Sequence, residues 1–329
     1  MYRNMLLHIG STLLRMMGLL IAISIVAFAL MMASPIDPVD AYVGSESGVS
    51  QEQRENVAEY WGLNKPPVER YFIWAKNMIH GDMGTSITYR LPVTQVIEER
   101  FRTSIALMGA AWAMSGILGF AMGVFAGIYK GSIADKIIKT FCLILSSTPT
   151  FWFGLLLLMV FAVQLQWFPM ALAAPIGKLA SEVTLGERIY HLILPAFTLS
   201  ITGVASIALH TRQKMIDVLQ SDYVLFARAR GEKIWMIVWR HGIRNIMLPA
   251  ITLQFASFSE LFGGSVLAEQ VFSYPGLGNA ATTAGLKGDV PLLLGIALFS
   301  AVFVFTGNFL ANVIYGIVDP QTREGRYHG

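Results

Sequence analysis

A single cysteine, Cys142, among 329 residues excludes an intramolecular disulfide, so any segment outside a membrane must hold together by packing alone. Charge is scarce as well: Asp, Glu, Lys and Arg make up 14% of the chain, against 54% hydrophobic residues. No G-x-x-x-x-G-K-[ST] string occurs, and neither does H-E-x-x-H or a Cys/His cluster, so the chain offers no phosphate cradle and no metal site of its own. His191 and His210 lie 19 residues apart, roughly 28 Å along a helix, too far to share an ion. The 16 methionines read as adaptable packing. Internal repeats and low-complexity tracts are missing, and no catalytic groups cluster within the apolar runs, which argues against a membrane-embedded enzyme.

What is present is apolar sequence in blocks long enough to cross about 30 Å of hydrocarbon. Six helical spans are expected at 15–34, 103–128, 138–165, 192–212, 248–269 and 290–318, helical because lipid-facing backbone must satisfy its own hydrogen bonds. The apolar run Met16 to Ala33 is too long for a signal-peptide core and lacks an A-x-A exit, so it is expected to be retained. Segments 1–15, 129–139, 211–246 and 319–329 hold 14 basic and 6 acidic residues, whereas 34–102, 166–191 and 269–289 hold 10 basic and 14 acidic. Lys and Arg collect in cytoplasmic loops, so both termini are expected in the cytoplasm. The net charge of +3 follows from that topology and calls for no nucleic-acid partner. The expected organisation is an N-terminal span (1–34), an outer helical insertion (35–102), a five-helix core (103–318) carrying a cytoplasmic loop (213–246), and a tail (319–329).

Within the insertion, Val68, Phe72, Ala75 and Ile79 fall on one helical face, and Gly62-Leu63-Asn64-Lys65-Pro66 and Gly81-Asp82-Met83-Gly84 read as turns. Gly119, Gly123 and Gly127 form a strip that lets another helix approach closely. Pro149, after Ser146-Ser147-Thr148, should kink the third span, with the hydroxyls available to freed carbonyls. Whether the kink borders a pathway or is simply tolerated stays open. Trp167, Phe168 and Tyr190 suit the outer interface.

The charged stretch from Asp222 to Pro249 stands apart between two apolar runs. Residues 213–231 suit a short amphipathic helix with Met215, Val218, Leu219, Tyr223 and Phe226 on its apolar side, Arg228, Arg230 and Lys233 in water, and Gly231 ending it. Trp235 and Trp239 would rest at the membrane surface. Asp222, Tyr223, Ala227, Arg228, Ala229 and Gly231, followed by His241, Arg244, Asn245 and Pro249, resemble the ATPase-docking loop of ABC importer permeases of the dipeptide, oligopeptide and nickel family. The likeness extends to His191–Pro195, Thr211-Arg212, Asn308, Tyr315 and Asp319-Pro320. It also takes in Glu269, Phe272, Pro275, Gly276 and Gly278, which look like the family's outer re-entrant turn, where a binding protein docks. Departures are Leu225 and Gln321 where the family often has basic residues, and Asn312 in place of an Asp.

The resemblance implies an all-α integral membrane protein with the type I ABC importer permease fold and an outer insertion after its first helix, in a bacterial or archaeal inner membrane. It implies a second homologous permease, two ABC ATPases that hold ATP and Mg, an extracytoplasmic solute-binding protein, and no cofactor or catalysis in this chain. Glu260, at mid-span, costs about 2.5–3.5 kcal/mol if left in lipid; it is expected either to line the pathway, favouring a nickel or other metal chelate over a peptide, or to be a structural carboxylate between subunits. The rival of another class is a gradient-driven transporter or channel, against which stand the lone mid-membrane acid and the lack of paired half-helices.

Overall fold

The computed structural model describes residues 2–33, 39, 50, 52, 55, 58, 59, 64–179 and 181–318, with side chains for all of these except 2–13, 31 and 312–318. Gly62, Leu63, the tail 319–329 and the side chains of Asn312 and Tyr315 lie outside what is described. The described residues are mostly helical and contain no strand. Twelve α-helices follow in order: α1 (Tyr2–Met32), α2 (Pro67–Ile79), α3 (Val93–Ile128), α4 (Ile133–Ser147), α5 (Thr150–Leu157), α6 (Leu185–Leu219), α7 (Asp222–Ala229), α8 (Ile234–Ile237), α9 (Arg244–Ala256), α10 (Phe258–Val271), α11 (Leu277–Lys287) and α12 (Val290–Val318). The helix widens to π geometry after α5 (Leu158–Gln164) and after α8 (Val238–Ile243).

Among the described residues, three helices are long and apolar enough to cross a membrane: α3, α6 and, over Val290–Ala311, α12. Two bent pairs are long and apolar enough only when taken together, α4 with the segment Thr150–Gln164 at 111° and Ile234–Ala256 with α10 at 52°. The first expected span lies on α1, a helix of 31 residues whose apolar side chains are described over Leu14–Leu30. The break at Pro149 is thus a reversal rather than a kink. Ser147 and Thr148 turn their hydroxyls back to the carbonyls of Leu143 (3.0 Å) and Ile144 (2.8 Å), satisfying acceptors near the end of α4.

The chain divides into two compact units, 1–103 with 276–306, and 104–275 with 307–329. In the first, α1 meets α2 through the Ser24 and Tyr71 hydroxyls (2.8 Å) and an edge-on Phe28–Tyr71 pair. Tyr71 therefore turns inward, while Val68, Phe72 and Ile79, expected to share a face, are all exposed. Asp289, fully buried, accepts from the Ser86 hydroxyl (2.5 Å), the Thr88 amide (2.8 Å) and the Leu292 amide in the first turn of α12 (3.3 Å). An anionic acceptor there complements the positive end of the helix.

In the second unit α6 is central: 67% of its most apolar window is buried, against 28% for α3. Its start is a capping box, with Thr184 Oγ1 accepting from the Glu187 amide and Glu187 Oε2 from the Thr184 amide (2.9 Å). Along its length α3 comes close. A Cβ placed on Gly119, Gly123 or Gly127 would stand 2.9 Å from Val204 O, 2.6 Å from Ala208 O and 2.6 Å from Met215 Cβ respectively. The bend at Ser257 frees the Gln254 carbonyl, which accepts instead from the Trp112 indole (3.1 Å) and the Ser257 hydroxyl (3.0 Å). The Gln254 amide returns a bond to Trp112 O (2.5 Å), so α3 clasps the broken span at its break.

Candidate functional site

The site begins where α6 ends. Ser221 donates its hydroxyl to Val218 O (2.6 Å) and its own carbonyl accepts from Val224 N (3.1 Å), so the chain leaves one helix and starts the next within two residues. Asp222 in the first turn of α7 complements the helix dipole. At the other end Gly231 N bonds to Arg228 O (2.9 Å) and Glu232 N to Ala227 O (3.1 Å), with Gly231 at φ +80°. This is a Schellman stop, and it needs a residue that tolerates the left-handed region.

The break at Gln220–Ser221 shifts the phase of everything after it. Residues 213–219 belong to α6, and α7 starts afresh at Asp222. The single amphipathic helix expected over 213–231 is therefore two, and the apolar side drawn across it does not hold. Val224 and Ala227 turn inward onto Ile237, beside Val218 and Leu219, while Met215 packs separately with Val238 and Ile246. Tyr223, Leu225 and Phe226 face outward, Phe226 being 70% exposed. Asp222, Arg228, Ala229 and Arg230 are exposed beside them.

The second half of the motif folds back to brace the first. Asn245 Nδ2 donates to His241 O (2.7 Å) and to the Tyr223 hydroxyl (3.3 Å), and the Tyr223 and His241 rings lie 6.0 Å apart. Arg230 reaches Glu232 Oε1 at 3.1 Å, while the other carboxylate oxygen is buried, with the His241 ring nitrogen at 4.0 Å. Glu232 has no place in the motif, and nothing in its spacing signals this contact. Arg244 is exposed. Because nothing lies within 4 Å of a Cβ on Gly231, only backbone conformation opposes substitution there. Gly231→Ala is expected to destabilise α7 by about 1 kcal/mol, seen as faster amide exchange over 224–229, with Gly231→Asn recovering most of it.

The other sequence candidates sit apart from this loop. Glu260 is exposed in the first turn of α10, just past the break; next to it the Ser259 hydroxyl bonds Asn308 Oδ1. Glu269, expected on the outer turn, is fully buried and accepts from the Ser104 hydroxyl (2.6 Å), while its backbone carbonyl takes the Tyr274 amide (2.8 Å). Burial, then the nearby Glu269 charge, pushes the Tyr274 hydroxyl up to about 12. Phe272, Gly276 and Gly278 are also buried and Pro275 half-buried; these residues shape the turn, and Ser273 at φ +45° is its exposed tip. Among the described residues no group of three or more His, Cys, Asp or Glu could hold a metal.

Residues 119–324 match the family of binding-protein-dependent transport system inner membrane components. The chain belongs to that family. It is 37% identical over 304 residues to the oligopeptide transport system permease protein AppB of Bacillus subtilis, covering 92% of this chain and 95% of that one. To the di/tripeptide transport system permease protein DppB of Pseudomonas aeruginosa it is 32% identical, covering 96% and 99%. A crystal structure of an amino acid ABC transporter with histidines aligns at a TM-score of 0.46 and 16% identity, covering 68% of this chain and 94% of that one. By the family match and these two relatives, this permease is a membrane subunit of an ABC importer. Both relatives are named as permeases of transport systems.

Proposed function

We propose that this permease forms the membrane passage of an ATP-driven importer of short peptides. The observation that carries the substrate class is the near full-length similarity to permeases named for oligopeptide and di/tripeptide transport. In this reading a second, homologous permease completes the passage, and two ATPases hold ATP and Mg and grip the exposed face of α7. A solute-binding protein delivers peptide on the outer side, and both termini are cytoplasmic. The metal-chelate reading rests on Glu260 and on the likeness of its setting, Ser259-Glu260-Leu261-Phe262-Gly263-Gly264, to the nickel branch of the family. An exposed mid-span carboxylate serves a peptide equally well, since peptides carry an ammonium group.

The test is reconstitution with the neighbouring permease, ATPases and binding protein in liposomes, reading ATP hydrolysis with a panel of di- to pentapeptides and nickel chelates. Stimulation by peptide-loaded binding protein is expected. Stimulation by nickel chelates alone would move the substrate class to metal, and transport by this chain alone under a gradient would remove the importer reading. Glu260→Gln is expected to lower uptake of cationic peptides about fivefold relative to acidic ones, the worth of a ~1 kcal/mol charge pair in watery surroundings. Equal uptake of both would take Glu260 out of the passage.

A further inference from the structure

We infer that Asp135 and Arg212 form the rigid linkage that carries displacement of α7 into α3 and α4, a positioning role that rests on the importer reading above. Arg212 lies on α6 seven residues before its last residue, Leu219, about 10 Å along the axis. Its guanidinium meets Asp135 in a two-pronged contact, Nε to Oδ1 at 2.5 Å and Nη2 to Oδ2 at 2.7 Å. Both side chains are shielded, at 4% exposure for Asp135 and 17% for Arg212. Asp135 occupies the first turn of α4, and its Oδ2 also accepts from the Gly131 amide (2.8 Å) in the turn from α3, where Gly131 has φ +81°. A single carboxylate therefore joins the end of α3, the start of α4 and the α7-proximal end of α6.

The backbone around Arg212 is fixed from the other side. A Cβ on Gly123 would lie 3.1 Å from Arg212 N and one on Gly127 3.0 Å from Arg212 O. The α3 surface is thus seated against the residue that holds α4. The junction beyond it is short and bonded, with Gln220 N to Ile216 O and Ser221 N to Val218 O both at 3.1 Å. A push on α7 has no slack segment before Arg212 in which to be absorbed. A planar, two-pronged pair fixes orientation as well as distance, which a single lysine contact does not.

The experiment measures peptide transported per ATP hydrolysed in the reconstituted importer, using a labelled peptide from the panel that stimulates the wild type. Asp135→Asn is expected to keep ATP hydrolysis within about twofold while transport per ATP falls on the order of tenfold, the size of a typical coupling between sites. The charge swap Asp135→Arg with Arg212→Asp should restore part of the ratio. A role in folding alone would lower assembly, hydrolysis and transport together, and an unchanged ratio in Asp135→Asn overturns the linkage. If Asp135→Asn does not assemble, Arg212→Lys, which keeps the charge and loses the fork, is read the same way. A wild type whose hydrolysis no peptide or chelate stimulates would remove the importer reading itself.

Discussion

Ala227→Arg is expected to abolish coupled ATP hydrolysis by dislodging α7 from its own chain. Ala227 is fully buried against Val224 and Ile237, so a guanidinium placed there must either be desolvated, at several kcal/mol, or force the helix outward. Its neighbour provides the contrast. Phe226 is 70% exposed, and Phe226→Ala should leave the permease's own stability within about 0.5 kcal/mol. An aromatic anchor in a partner's cleft is worth about 2 kcal/mol or more. Phe226→Ala should therefore raise the ATPase concentration needed for half-maximal hydrolysis on the order of thirtyfold. Amide exchange separates the two: faster exchange over 224–229 is expected in Ala227→Arg and unchanged exchange in Phe226→Ala. Unchanged exchange in Ala227→Arg would show that the residue does not hold α7 in place.

The second large effect belongs to the glycine strip. Gly123→Leu is expected to prevent stable packing of α3 on α6, because even its first carbon would stand 2.6 Å from a backbone oxygen, Ala208 O, and from Thr211 Cβ. Overpacking of a core by movable side chains costs about 1–3 kcal/mol. Here the obstacle includes main chain, so the loss should reach or pass the top of that range. Gly109, on the same helix, has nothing within 4 Å of the point a Cβ would occupy, and Gly109→Ala should be neutral or stabilising by up to ~1 kcal/mol. Thermal unfolding of the detergent-purified permease compares them. Equal midpoints would mean that the two helices separate at no cost.

These contrasts trace which parts of the molecule could be read from sequence. Gly231 was legible because a helix stop is written locally, in one residue that tolerates positive φ. The strip at 119, 123 and 127 was legible as spacing, although its partner, α6, was not. Spacing alone puts Tyr223 and Phe226 on the wrong side, because a two-residue break at Gln220–Ser221 resets helical phase and one serine bonding backward to Val218 O is too small a signal to reveal it. Pro149 announces a break but not its 111°, since the angle is set where α4 and α5 both pack against α6. Glu269 carries the charge of a surface residue, yet it is buried and meets Ser104, 165 positions away. The clasp between Trp112 and Gln254 spans 142 positions and leaves no periodic trace. Local backbone rules survive without a fold; long-range satisfaction of buried polar groups does not.

The length of α6 has one more consequence. Its 35 residues amount to about 52 Å, well beyond the ~30 Å of hydrocarbon in an ordinary bilayer. Both ends are satisfied within the chain, by the Thr184–Glu187 box at one and the Ser221 turn at the other. Hydrophobic mismatch is then relieved by wetting more or less of an intact helix instead of by unwinding it. A thinner or thicker bilayer is expected to wet more or less of α6 while the bonded junction from Leu219 to Asp222 stays as it is.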